Sequence, residues 1–175
     1  MGNLRAMSPR RAGFSSYTAR MHPWGQRILV AFLVIALLAA AALFGLDRFA
    51  RSQRQDLQAL PVCQITVHGR PLTLIVADSP ATVGPGLSGQ PSLPEDHALL
   101  LVSPDGNSRV TLLGMRFPFD VVWLGDGNRV IVVRTALPAR PWPQSYSAST
   151  QAVAVVELPA GGVERYGIAV GNEIG

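Results

Sequence analysis

Few side chains in this sequence sit at spacings that could do chemistry. Gly84-Pro85-Gly86-Leu87-Ser88-Gly89 spells G-x-G-x-x-G. A dinucleotide loop of that form needs a strand before it, a helix after it, and free backbone amides facing a pyrophosphate. Pro85 removes one amide, Pro91 and Pro94 follow, and no helical period opens. The segment therefore reads as a turn-rich loop, and it also misses the G-x-S-x-G spacing of a nucleophile elbow. Asp96-His97 sets an acid beside a base, but adjacent strand residues point to opposite faces, so this pair is expected to be solvated and unbonded. Cys63 is the only cysteine; early in an apolar stretch it is expected to be a small core residue. His68, beside Gly69, is expected to be an exposed turn residue. A single cysteine and three scattered histidines leave no disulfide framework and give no metal-ligand pattern, so no metal is expected.

The polar residues best placed to serve a ligand are Arg116, Asp120, Tyr146 and Ser147. They would make a site only if the fold brings them to one pocket. Trp123 lies in an apolar run and is expected in the core. Trp142 stands in Pro138-Ala139-Arg140-Pro141-Trp142-Pro143, a stiff loop that would lose little entropy on docking. Pro141, Trp142 and Pro143 are therefore candidate partner contacts.

Short strands must position these groups. Val62 to His68 and Leu72 to Ala77 flank Gly69-Arg70-Pro71 and predict a hairpin. Ala98 to Val102, Val110 to Leu113, Phe119 to Leu124, Arg129 to Arg134 and Ala152 to Glu157 predict further strands. Gly125-Asp126-Gly127-Asn128 joins two of them as a second hairpin turn. Gly161 to Tyr166 predicts one helical turn ending at Gly167. The pattern implies an all-β body, a compact sandwich or barrel of about 115 residues with its own core. The 17 glycines and 14 prolines exclude a helical bundle, and 48% hydrophobic residues exclude disorder.

Ahead of the body, Ile28 to Leu46 is 19 residues without a charged side chain. A helix of that length covers roughly the ~30 Å hydrocarbon core. Trp24 and Arg27 before it, and Arg48 and Phe49 after it, suit the two interfaces. Ala39-Ala40-Ala41 resembles a signal-cleavage site, but apolar residues continue to Leu46, so a retained anchor is expected. All 15 basic residues are arginine. Residues 1–27 carry five of them and no acid, the connector 47–61 has three against two acids, and the body 62–175 has seven against nine. That asymmetry predicts an N-terminus inside a bacterial inner membrane and a periplasmic body. The body has no basic excess for phosphates, which argues against nucleic acid as a partner. The span holds no histidine, so it supplies no such ligand to haem or chlorophyll, and no cofactor is expected.

Several elements recur in order along the body. These are Ala77-Asp78-Ser79-Pro80, Gly86-Leu87, Ser92-Leu93-Pro94-Glu95-Asp96, and Pro118-Phe119-Asp120 with Gly127-Asn128-Arg129-Val130. Val156-Glu157-Leu158-Pro159-Ala160-Gly161 follows, with Glu164-Arg165-Tyr166-Gly167-Ile168 and Val170-Gly171-Asn172. From about Ile65 to Gly175 the chain resembles the bacterial and archaeal family called domain of unknown function 192. The resemblance implies a compact β-sandwich-like domain, often exported or membrane-tethered, with no established reaction. The family typically continues Gly-Leu with Met-x-Arg, where Ser88-Gly89-Gln90 stands here. It usually carries Trp-Met-Lys-Asn-Thr where this chain has Leu112-Leu113-Gly114-Met115. Scaffold positions persist while polar ones do not, which suggests a scaffold reused for binding.

The leading expectation is a non-enzymatic, single-span accessory subunit docked on a larger membrane-embedded complex, such as a photosynthetic or respiratory one. Ala36, Ala39, Ala40 and Gly45 would form its lateral packing face, flanked by Trp24 and Arg27. The alternative is a tethered module, or weak enzyme, for a small ligand or envelope glycan. A third option is an anchored envelope-maintenance domain with no stable partner.

Overall fold

Residues with positive φ set the hairpins of the body. His68 and Gly69, at φ 47° and 79°, form a two-residue turn whose twist matches the flanking strands. It joins β1 (Val62–Val67) to β2 (Arg70–Ala77) in antiparallel register, Val67 opposite Arg70. The expected turn at Gly69-Arg70-Pro71 is thus one residue earlier, with Arg70 and Pro71 inside β2. Pro71 lies outside the β3 ladder, which begins at Thr73 opposite His97, so its missing N–H costs no bond there.

The computed structural model describes residues 23–52, 54–102, 106, 108–139, 144–148 and 152–175. After β2 come α2 (Pro80–Val83), β3 (His97–Val102), β4 (Val110–Thr111) and β5 (Phe119–Leu124). Then follow β6 (Val130–Leu137), β7 (Ser145–Tyr146), β8 (Ala154–Pro159) and a short α3 (Gly162–Arg165). Ahead of them all runs α1 (Pro23–Ser52).

The body is mostly β, as expected, but it is neither a closed barrel nor two equal packed sheets. Six strands form one open sheet in the order β1-β2-β3-β8-β5-β6, and β4 and β7 pair separately as a small ribbon. β2 and β3 run parallel, connected by the segment that holds α2. The physical reason lies in the central strands. β5 is buried at every residue and β8 at all but its last, so both faces need cover. One face packs Leu72, Val122, Val156 and Leu158 under Val163, Tyr166, Ile168 and Ile174. The other packs Leu99, Val121, Trp123 and Val155 under Leu87, Leu93, Leu112 and Met115. Trp123 is fully buried, as expected, and its Nε1 donates to the Ser108 carbonyl at 2.7 Å.

The chain divides into two units, Met1–Leu37 and Leu38–Gly175. Described residues of the first are helical, and Trp24 and residues 26–37 are exposed, Trp24 at 72% and Phe32 at 68%. Over Trp24–Phe49 the helix is long and apolar enough to cross a membrane. In the second unit α1 continues past the expected end of the span, to Ser52. There Asp47 is 5% exposed and binds Arg51 Nε at 2.9 Å, while the Gly114 amide donates to it at 3.2 Å.

Candidate functional site

Glu157 is the one acid in an otherwise apolar strand, β8, between Leu99 of β3 and Val121 of β5. Alternation along β8 puts it on the face of Val155, beneath the Gly84–Gly89 loop. That loop takes its shape from glycine. Gly86 has φ +52°, and a Cβ there would lie 3.4 Å from Glu157 Oε2. A bare backbone therefore lets the loop close over the carboxyl without a side chain between them. The carboxyl is 3% exposed, and Oε2 has no hydrogen-bond partner among the described residues. Burial pushes the Glu157 pKa up from 4.5 to about 7, against a smaller downward pull from the Leu87 amide.

A half-open cavity of about 460 Å³ includes this group in its wall. The loop supplies Gly84 to Ser88, and Leu101, Val110, Leu113 and Met115 supply most of the apolar lining. Arg109 and Thr111 stand on the same wall, both exposed, and Phe49 of α1 completes it. The arrangement can hold a small, mostly apolar molecule and offer it one acid in a desolvated setting.

The outer side of the same loop is tied to the chain leaving α1. Gln55 Nε2 donates to the Gly86 carbonyl at 2.8 Å, and Gln90 Nε2 donates to the Gln55 carbonyl at 2.7 Å. Gly89 donates to the Gly114 carbonyl at 3.0 Å. A Cβ on Gly89 would overlap the Arg51 carbonyl oxygen. The G-x-G-x-x-G segment is thus the turn-rich loop expected, with glycines used for close approach of other protein groups.

The four residues expected to serve a ligand line neither this cavity nor a second one of about 450 Å³ beside Arg54 and His97. Arg116 is exposed, with Nη1 3.5 Å from the Gly89 carbonyl. Asp120 is fully buried, and both its oxygens are occupied by backbone amides, Ala136 N at 2.8 Å and Val163 N at 3.0 Å. Its work is structural. Ala136 sits at φ 54°, within the register shift between β5 and β6, so the carboxylate stabilises a bulge. Tyr146 is half-buried opposite Val110 on the ribbon, and Ser147 is exposed beside it. Pro141, Trp142 and Pro143 lie outside the described residues. Trp24, Arg27, Ala36, Ala39, Ala40 and Gly45 are on α1, and all six are exposed.

Two smaller expectations change, and a third gains a contact. Cys63 is exposed rather than in the core, because β1 is an edge strand. His68 is exposed as expected, yet its Nδ1 is 2.9 Å from the Tyr166 carbonyl. Asp96 and His97 do bond, Oδ1 to Nδ1 at 2.7 Å. Asp96 precedes the first residue of β3, so strict alternation does not hold it away. That bond lowers the Asp96 pKa.

Comparison with known proteins bears on the fold and the family. The family model DUF192, described as "Uncharacterized ACR, COG1430", matches residues 63–175. The chain belongs to this family. Among solved structures, a protein of unknown function from Novosphingobium aromaticivorans DSM 12444 aligns with TM-score 0.57 at 16% identity. That alignment covers 70% of this chain and 97% of the other. A Sinorhizobium meliloti 1021 protein, described provisionally as a transcription regulator, aligns with TM-score 0.51 at 24% identity. It covers 65% of this chain and 90% of that one. At these identities the likeness concerns the fold alone. No curated protein matches the chain.

The matched region contains both Gly86 and Glu157. Sequence reasoning passed over Glu157 as a site residue, although a signal was present. An ionisable side chain amid Ala154-Val155-Val156 and Leu158 must either face solvent or be buried for a reason.

Proposed function

We propose that this chain is a single-span, membrane-tethered module whose family domain binds a small, largely apolar ligand in the Glu157 cavity. The observation that carries the reading is the buried carboxyl oxygen Oε2, unpartnered on the wall of a cavity of about 460 Å³. Leaving such an oxygen unpaired costs about 1–3 kcal/mol, and a ligand atom would offset that cost. Binding is favoured over catalysis because the titratable groups among the lining residues are Glu157 and Arg109, with no histidine or cysteine to activate a hydroxyl. The anchor is α1, inserted with the arginine-rich residues 1–27 inside and the domain in the periplasm.

Native mass spectrometry of the full chain, released from its own membrane in mild detergent, tests this. A small-molecule adduct that disappears in Thr111→Trp, which plugs the cavity from an exposed position, is the expected result. An adduct that survives the plug would place the ligand elsewhere.

A second reading is a non-enzymatic accessory subunit docked on a larger membrane complex. It is favoured by the open edge strand β1, where Val62 is 57% exposed beside Cys63, and by Gly45, where an added Cβ would meet nothing within 4 Å. Sizing of the extracted particle separates the readings. Fixed-stoichiometry migration with a large complex supports docking, and migration as a lone chain in its micelle sinks it.

A further inference from the structure

The charges around the cavity restrict what can enter it. Arg109 is exposed on the wall, with no ion-pair partner among the described residues, and would repel a cation. Glu157 is desolvated and would oppose an anionic inner end. Its neighbours across the sheet, Leu99 on β3 and Val121 on β5, are apolar. The Gly84–Gly89 loop brings no acid or base, and the ribbon side contributes only Arg109. An anion is therefore opposed at the buried end by Glu157, and a cation at the exposed mouth by Arg109. Gly86 leaves Oε2 uncovered by any side chain of its own, and apolar residues provide the remaining surface.

We propose that the Glu157 cavity takes an uncharged, largely apolar molecule whose inner end presents an acceptor oxygen, that of a ketone, ester or amide, to the protonated carboxyl. The inference rests on the reading of this cavity as a ligand site and specifies its chemistry. Protonated, Glu157 donates one hydrogen bond to the acceptor; ionised, it can only accept. A pKa of about 7 keeps much of the acid form at neutrality. Ligand binding stabilises that form further and draws in a proton at higher pH. Affinity then falls about tenfold per pH unit once pH is well above 7.

The test uses the full chain in detergent micelles and three naphthalene probes. These are prodan, a neutral ketone whose emission reports hydrogen bonding at its carbonyl, 2-naphthylmethylammonium and 2-naphthoate. Expected is saturable prodan binding at pH 6, weakening about tenfold per unit above pH 7 and lost in Thr111→Trp. Glu157→Gln, whose amide still donates, keeps prodan binding and flattens the profile from pH 6 to 9. A flat wild-type profile, or an unchanged slope in Glu157→Gln, would overturn the proposal. If a charged probe binds in a Thr111→Trp-sensitive manner while prodan does not, the ligand chemistry is wrong and the cavity remains a site. If none of the three binds, the ligand-site reading falls with it.

Discussion

At the scale of single residues, two buried carboxyls on neighbouring strands have opposite roles, and their surroundings decide which. Asp120 on β5 has both oxygens occupied by backbone amides, whereas Glu157 on β8 keeps Oε2 unpaired. Asp120→Ala should cost about 2–4 kcal/mol by orphaning the amides of Ala136 and Val163, read as a lower urea midpoint. Ala136→Gly should instead add about 0.5–1 kcal/mol, because φ 54° strains any residue with a Cβ. For Glu157 the folded-state pKa is raised, from 4.5 to about 7. The folded protein therefore holds the proton more tightly, and stability falls as pH rises through that interval. The total is on the order of 3 kcal/mol, fully present below pH ~4.5 and lost above ~7. Glu157→Gln should remove the slope and be more stable than wild type at pH 8, by unfolding followed with circular dichroism at pH 5 and 8.

Among elements, the strands were the legible part and the loop–helix junction was not. Hairpin chemistry marked β1–β2 and β5–β6 because positive-φ residues at His68, Gly69, Gly127 and Asn128 are written locally. β6 runs on to Leu137, β4 is only Val110–Thr111, and β7 lies outside the expected strands, since those limits come from long-range pairing and packing. The parallel β2–β3 pairing depends on a crossover that no local pattern encodes. The candidate site was hidden for the same reason: Gly86 and Glu157 are 71 positions apart in the chain, and only the sheet brings them together. The junction predicts its own test. Gly89→Ala sets a side chain against the Arg51 carbonyl at a residue with φ +73°. The end of α1 should then detach, and trypsin should cut after Arg51 and Arg54 about tenfold faster for each ~1.4 kcal/mol lost from that docking.

For the whole molecule, the proposed membrane topology is open to a single-residue test. Cys63 is the chain's only cysteine and is exposed on edge strand β1. A membrane-impermeant maleimide added to intact spheroplasts should label it, if the family domain is outside. Labelling only after permeabilisation would reverse the proposed orientation. The arrangement of strands also has a consequence for synthesis. β8 is the last strand in chain order, yet it lies between β3 and β5 at the middle of the sheet. Until Ala154–Pro159 emerges from the ribosome, the β1-β2-β3 and β5-β6 halves have nothing to join them. α1, long and apolar enough to cross a membrane, emerges well before that. The domain must therefore wait, unfinished, with the edges of β3 and β5 open to wrong partners. Completion of the sheet waits on β8, and chaperone dependence should track the delivery of that strand.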